Sequence, residues 1–160
     1  MRAPVLALIV LSSSVVPARA EPASFVFSLG QWGLRAHEPN EVAVQLEYRA
    51  ATRWWWVRPL GGALLSTEGT QYAFAGVVLE VPLPWGVVLA PGFAPGIRYL
   101  NGARDLGSVV LFKSSVELTA PLIHGLRVGA SFSHISNAKL GQPNPGIETL
   151  LGVVQIDLGP

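Results

Sequence analysis

Three residues that together could cleave an ester lie near one another toward the carboxyl end of the chain: His134, Ser136 and Glu148. A serine hydroxyl is a poor nucleophile until a base takes its proton. Imidazole can be that base, and a carboxylate can hold the imidazole in the required orientation. The developing oxyanion also needs hydrogen-bond donors, and Asn137, Asn144 and the Gly146 amide are the groups available. Each of these residues has an ordinary role when taken singly. A histidine at a strand end is commonly an interfacial polar residue, Asn144-Pro145-Gly146 reads as a turn, and a glutamate can cap a hairpin. The chemistry requires that they share one surface.

The elements that would place them there are strands. Thirteen prolines and seventeen glycines cut the sequence into short segments, which disfavours long helices. Apolar and polar residues alternate with period two, the pattern of strands with one apolar face. The expected strands cover residues 24–33, 41–50, 53–65, 70–81, 85–99, 107–119, 124–136 and 148–158. Turn signals fall at Glu38-Pro39-Asn40, Pro82-Leu83-Pro84, Asn101-Gly102 and from Pro121 to Gly125. In the seventh strand Leu126, Val128, Ala130 and Phe132 continue on the same phase into His134 and Ser136. In the eighth, Glu148 shares the phase of Leu150, Val154 and Ile156. His134 and Glu148 are thus ionisable groups on an otherwise apolar phase. The connection from Asn137 to Ile147 gathers all three groups at one end of one hairpin. Adjacent strands approach to about 5 Å, within reach of a carboxylate–imidazole contact.

Composition decides what the apolar face meets. Arg2, the apolar stretch Val5 to Val16 and Ala18-Arg19-Ala20 have the form of a secretory signal peptide over residues 1–20, leaving residues 21–160 as one domain. Removing Arg2 and Arg19 from 11 basic residues leaves 9 against 10 acidic ones. Such a balance offers no basic field for nucleic acid. Cysteine is absent, so neither disulfides nor thiolate metal sites can form. His37 and His124 lack neighbours at metal-ligand spacing, and no metal or organic cofactor is expected.

Charged residues make up only 13% of the chain, against roughly 25% in soluble domains. No apolar run after the leader is long enough for a spanning helix. A closed barrel is the other backbone arrangement that satisfies its hydrogen bonds in lipid. The expected fold is therefore all-β, an eight-stranded antiparallel up-and-down transmembrane β-barrel. Glu47, Arg49, Glu80, Arg98, Lys113, Glu117, Arg127 and Asp157 lie opposite the apolar phase. Four acids and four bases can pair inside a narrow barrel whose lumen holds only side chains. Trp54-Trp55-Trp56 fits an interfacial girdle. Parity alone permits the inverse, a secreted lipocalin-like lipid binder whose apolar face lines a cavity. A non-catalytic small barrel with a structural or adhesive role is the other alternative.

The stretch Phe132-Ser133-His134-Ile135-Ser136-Asn137-Ala138, followed by Asn144-Pro145-Gly146-Ile147-Glu148, resembles the signature of PagL-type lipid A 3-O-deacylases. The specific motif covers about residues 132–148, with the export signal, length and strand count in agreement elsewhere. The resemblance implies an outer-membrane barrel with its triad on the outer wall. His134 would be the base, Ser136 the nucleophile and Glu148 the orienting acid. Asn144 would serve the oxyanion, with Asn137 and Gly146 in support. The implied substrate is lipid A of lipopolysaccharide, met at the outer-leaflet side among outer-membrane lipids and losing its 3-hydroxyacyl chain. A homodimer is left open.

Overall fold

The computed structural model describes residues 22–34, 41–100 and 103–159. The expected leader over residues 1–20 and the turns at Glu38-Pro39-Asn40 and Asn101-Gly102 lie outside these described residues.

Eight long strands form the wall: β1 Ser24–Trp32, β2 Glu41–Arg49, β3 Val57–Ser66, β4 Thr70–Leu79, β5 Val88–Leu100, β6 Val110–Ile123, β7 Leu126–Ser136 and β8 Ile147–Asp157. Each pairs antiparallel with the next, and β8 returns to β1, from Ser24 opposite Asp157 to Trp32 opposite Thr149. A sheet closed in this way has no free edge. A two-residue segment, Val81–Pro82, continues past β4 and pairs with Val88 and Leu89.

Several expected boundaries move by one to four residues, and three of the shifts have a visible local cause. Trp54, Trp55 and Trp56 lie in the β2–β3 connection rather than inside a strand, because the ladder begins only at Val57. Residues Pro84–Gly86 form a single 3-10 turn ahead of β5. Strand β6 runs through Pro121 to Ile123, four residues beyond expectation, with a bulge between Pro121 and Ile123. Proline lacks the ladder's N–H, and a bulge is one of the few places where a strand accommodates it.

The apolar phase faces out. Phe25, Phe27, Leu46, Phe93, Phe132 and Leu150 are all more than two-fifths exposed, which suits hydrocarbon rather than water. The inverse, lipocalin-like parity is thereby overturned. Glu47, Arg49, Glu80, Arg98, Lys113 and Glu117 are buried inside as expected from their phase. Arg127 and Asp157 are half-buried at the end where β7 begins and β8 ends. Arg58, not singled out in the sequence, joins the buried set.

Glu47, Arg49, Arg58, Glu80, Lys113 and Glu117 form one network, while Arg98 reaches Asp105 and the carbonyls of Arg104 and Ser108 instead. Arg49 donates to Glu47 at 2.9 Å and to Glu117 at 2.8 Å, and stands 3.5 Å from Glu80. Arg58 donates to both Glu80 oxygens, at 3.1 and 3.2 Å. Lys113 donates to Gln45 and lies 3.8 Å from Glu47, with its ammonium 4.3 Å from the Phe74 ring centre. Three carboxylates against three cations leave this part of the lumen neutral, which buried charge requires.

The rest of the lumen differs from the polar interior expected. Trp32, Leu64, Tyr72, Leu111, Ile135 and Ile147 belong to a buried apolar cluster that fills the end nearer the β7–β8 connection. Ile135 and Ile147 point inward between the outward-facing groups of β7 and β8. A packed interior behind that wall fixes the backbone from which those groups project.

Candidate active site

The site is carried by the last pairs of the β7–β8 ladder. His134 stands directly opposite Glu148, and Ile135 opposite Ile147 closes the ladder. Alternation puts His134 and Glu148 on the outer wall while their neighbours Ser133, Ile135, Ile147 and Thr149 are buried inside. Ser133 and Thr149 hydroxyls join at 2.6 Å behind the pair. This ties the two strands at the level where the outward groups must meet.

On the outer side His134 Nδ1 lies 3.1 Å from Glu148 Oε1. The glutamate is the more sheltered partner, its side chain 19% exposed against 43% for the histidine. With Nδ1 as the donor to the carboxylate, Nε2 carries the lone pair that can accept a proton. Ser136, two residues on, stands on the same outward phase just beyond the last ladder pair. Among the described residues no hydrogen bond joins its Oγ to the imidazole.

The connection above the pair is held from within. Asn137 is fully buried. Its side-chain amide donates to the carbonyls of Leu106, Gly141 and Pro143 at 2.7, 3.1 and 3.1 Å, and its side-chain oxygen accepts from the Lys139 amide at 2.8 Å. The Asn137 carboxamide therefore organises the connection, and its donors are already engaged. Its backbone N–H is given to Asn144 Oδ1 at 3.2 Å. That bond fixes the Asn144 carboxamide by its oxygen and leaves the amide end as a donor.

Gly146 seats the imidazole. Its φ is +64°, a region that side chains rarely adopt, and a methyl there would lie 2.6 Å from His134 Cε1 and 3.2 Å from Nε2. Gly146→Ala should therefore displace the ring, and a reaction that uses this imidazole should slow by roughly 10- to 100-fold, the cost of misplacing a reacting group by about 1 Å. Initial rates on micellar substrate check this, and an unchanged rate would show that the ring position is unimportant.

The hydroxyl of Ser114 passed unnoticed in the sequence. Ser114 is exposed on the outward row of β6 and stands directly opposite His134, on the side away from Glu148. The signal was available in the alternation, since Val110, Phe112, Val116 and Leu118 share its phase.

The model of the family described as lipid A 3-O-deacylase (PagL) matches residues 23–157. The chain belongs to that family. Lipid A 3-O-deacylation is accordingly its activity, the reaction is a hydrolysis, and the barrel is one of the outer membrane. The matched region contains the whole of the His134–Glu148 wall. Among solved structures the chain is similar to the outer membrane enzyme PagL, with 19% identity over 84% of this chain and 99% of that one, and a TM-score of 0.64. It also resembles a de novo designed transmembrane β-barrel, at 10% identity and TM-score 0.57, covering 88% of this chain and 98% of the design. Ail, an outer membrane protein of Yersinia pestis, matches at 14% identity and TM-score 0.53, over 85% of this chain and 100% of Ail. At such identities these likenesses establish the barrel alone. No curated protein matches the chain in sequence. Family membership removes the structural, adhesive and lipid-carrying alternatives.

Proposed function

We propose that His134, Ser136 and Glu148 form a serine-hydrolase triad that acts on lipid A at the outer-leaflet side of the membrane. The observation that carries the reading is the His134–Glu148 hydrogen bond on the lipid-facing wall. An ionisable pair is costly on such a surface unless it lies near the interface and has work there. In this reading Ser136 Oγ attacks the ester carbonyl at the 3-position of the glucosamine while His134 Nε2 takes the hydroxyl proton. Glu148 steadies the imidazolium that results. The Asn144 amide and the Gly146 N–H stabilise the oxyanion, and Asn137 positions them by holding the connection. Collapse breaks the bond to the sugar oxygen, which takes the proton from His134 and leaves as the free hydroxyl. Water activated by the same imidazole then releases the 3-hydroxy fatty acid from Ser136. The scheme uses no metal or organic cofactor. Confinement of enzyme and substrate to one leaflet supplies lipid A without a deep pocket, its acyl chain lying along the outer faces of β7 and β8.

The test uses a fluorophosphonate, which phosphonylates activated serines, followed by peptide mass spectrometry. The adduct should fall on the peptide containing Ser136, and Glu148→Gln should suppress it. An adduct on Ser114, the exposed hydroxyl across from the same imidazole, would reassign the nucleophile. The same spectra read the mature start, for which Glu21 is proposed after removal of the leader.

A further inference from the structure

One polar side chain interrupts the outward row of β6. Val110, Phe112, Val116 and Leu118 share the phase of Ser114, and the serine is exposed among them. Among the described residues nothing pairs with its hydroxyl. A hydroxyl that faces hydrocarbon without a hydrogen bond is costly. On this wall it gains one only from a molecule brought to it.

Its place in the sheet says which molecule. At the height of the proposed site one row crosses four strands: Phe93 of β5, Ser114 of β6, His134 of β7 and Glu148 of β8, each opposite the next. In this row the imidazole leans toward β8. Its Nδ1 meets Glu148 at 3.1 Å, and Gly146, just ahead of β8, lies against the edge that carries Cε1 and Nε2. Ser114 is left on the other flank, not bonded to the ring. Ser136 lies two residues beyond His134, on the diagonal from Ser114, and such diagonal neighbours stand about 7–8 Å apart. On the side away from His134, the Phe93 and Phe112 rings stack with their centres 6.1 Å apart. That apolar screen strengthens whatever hydrogen bond the hydroxyl makes.

A 3-hydroxyacyl ester has the dimensions to meet both serines. Its hydroxyl oxygen is three bonds from the carbonyl carbon. Placing Ser136 Oγ about 3 Å from that carbon is the near-attack distance, and a hydrogen bond at the other end adds about 2.8 Å. Together these lengths span the diagonal, with slack for the bend of the chain. We infer that Ser114 is a specificity residue: its hydroxyl binds the 3-hydroxyl of the departing acyl chain and so selects 3-hydroxyacyl esters over plain acyl esters of equal length. The inference rests on the proposed triad, which sets where the carbonyl lies. With the 3-hydroxyl drawn toward β6, the rest of the chain runs down the β7 face over Phe132, one row below His134. Losing the hydroxyl on either side strands the other in apolar surroundings. Recognition through such a bond discriminates better than an apolar surface does.

The test uses two synthetic lipid A molecules that differ only in the chain esterified at the 3-position, either 3-hydroxyacyl or plain acyl of the same length. Both are dispersed in detergent micelles with the full-length mature protein, and the readout is the ratio of their kcat/KM values. Ser114→Val removes the hydroxyl, and Ser114→Thr keeps it on the same branched frame; both residues suit a strand. The parent should prefer the hydroxyacyl substrate by about tenfold, the effect of one well-screened neutral hydrogen bond. Ser114→Thr should keep most of that preference, and Ser114→Val should bring the ratio close to one. A parent that does not discriminate, or a Ser114→Val protein with the parental ratio, would overturn the inference. Equal loss on both substrates in the Val variant would overturn it too, since a structural or nucleophilic role for Ser114 acts on both. Should Ser114→Val lack the heat-modifiable mobility of a folded barrel, Ser114→Ala supplies the same comparison. Failure of the triad reads differently: Ser136→Ala would then hydrolyse both substrates at the parental rate, whatever the Ser114 variants do.

Discussion

Ser136→Ala is expected to lower lipid A deacylation by about a thousandfold or more, while the barrel keeps its heat-modifiable mobility on a gel. The size follows from how a triad works: once the nucleophile is gone, the base and the acid have nothing to activate, and what remains is binding and oxyanion stabilisation. Folding should survive because Ser136 lies on the outward phase at the last residue of β7, opposite Phe112 of β6 and beyond the final β7–β8 pair. The interior cluster behind it contains Ile135 and Ile147 but not Ser136. The measurement is mass spectrometry of lipid A from cells expressing the variant, beside micellar rates on the purified protein. Cells expressing the unsubstituted chain should show lipid A lighter by one 3-hydroxyacyl group. Deacylation by the Ser136→Ala protein at a normal rate would move attention to Ser114, and the double replacement would then be the deciding sample.

The second large effect concerns stability. Arg49→Met should destabilise the barrel by about 3–5 kcal/mol, the range for removing one partner of a buried ion pair. Arg49 is the hub of the lumen: it bonds to Glu47 and Glu117 and approaches Glu80. Arg58 still serves Glu80, and Lys113 lies near Glu47. Glu117 would lose the charged partner at 2.8 Å and be left as a buried carboxylate. Urea titration of folding into vesicles measures the change. Combining Arg49→Met with Glu117→Gln should recover a large part of the loss, since the stranded charge goes too. A single variant as stable as the parent would mean that the lumen is hydrated enough to screen the network.

Both predictions depend on parity, and parity was legible in the residues. Period two places His134 and Ser136 in the row of Phe132, and Glu148 in the row of Leu150, wherever the strand ends fall within a residue or two. The same alternation puts Glu47, Arg49, Lys113 and Glu117 together on the opposite phase, and the low charge density of the chain, not the alternation, favoured that phase as the inner one. Boundary errors arose where local chemistry was ambiguous. Three tryptophans read as strand formers yet sit in a turn, and Pro121 reads as a breaker yet is absorbed by a bulge.

What the sequence determined by itself is therefore the chemistry and the phase: which groups are present and which of them share a row. Those properties follow from residue type and a two-residue repeat, both local. The tertiary structure decided which groups are neighbours. Strand register sets His134 opposite Glu148 on one side and Ser114 on the other. Contacts from distant connections turn Asn137 into a tie rather than a free donor, and chain closure places the exposed tryptophans at the end away from His134 and Glu148. Register and closure depend on pairing across the whole sheet and on how side chains fill the lumen, so no short stretch of sequence contains them.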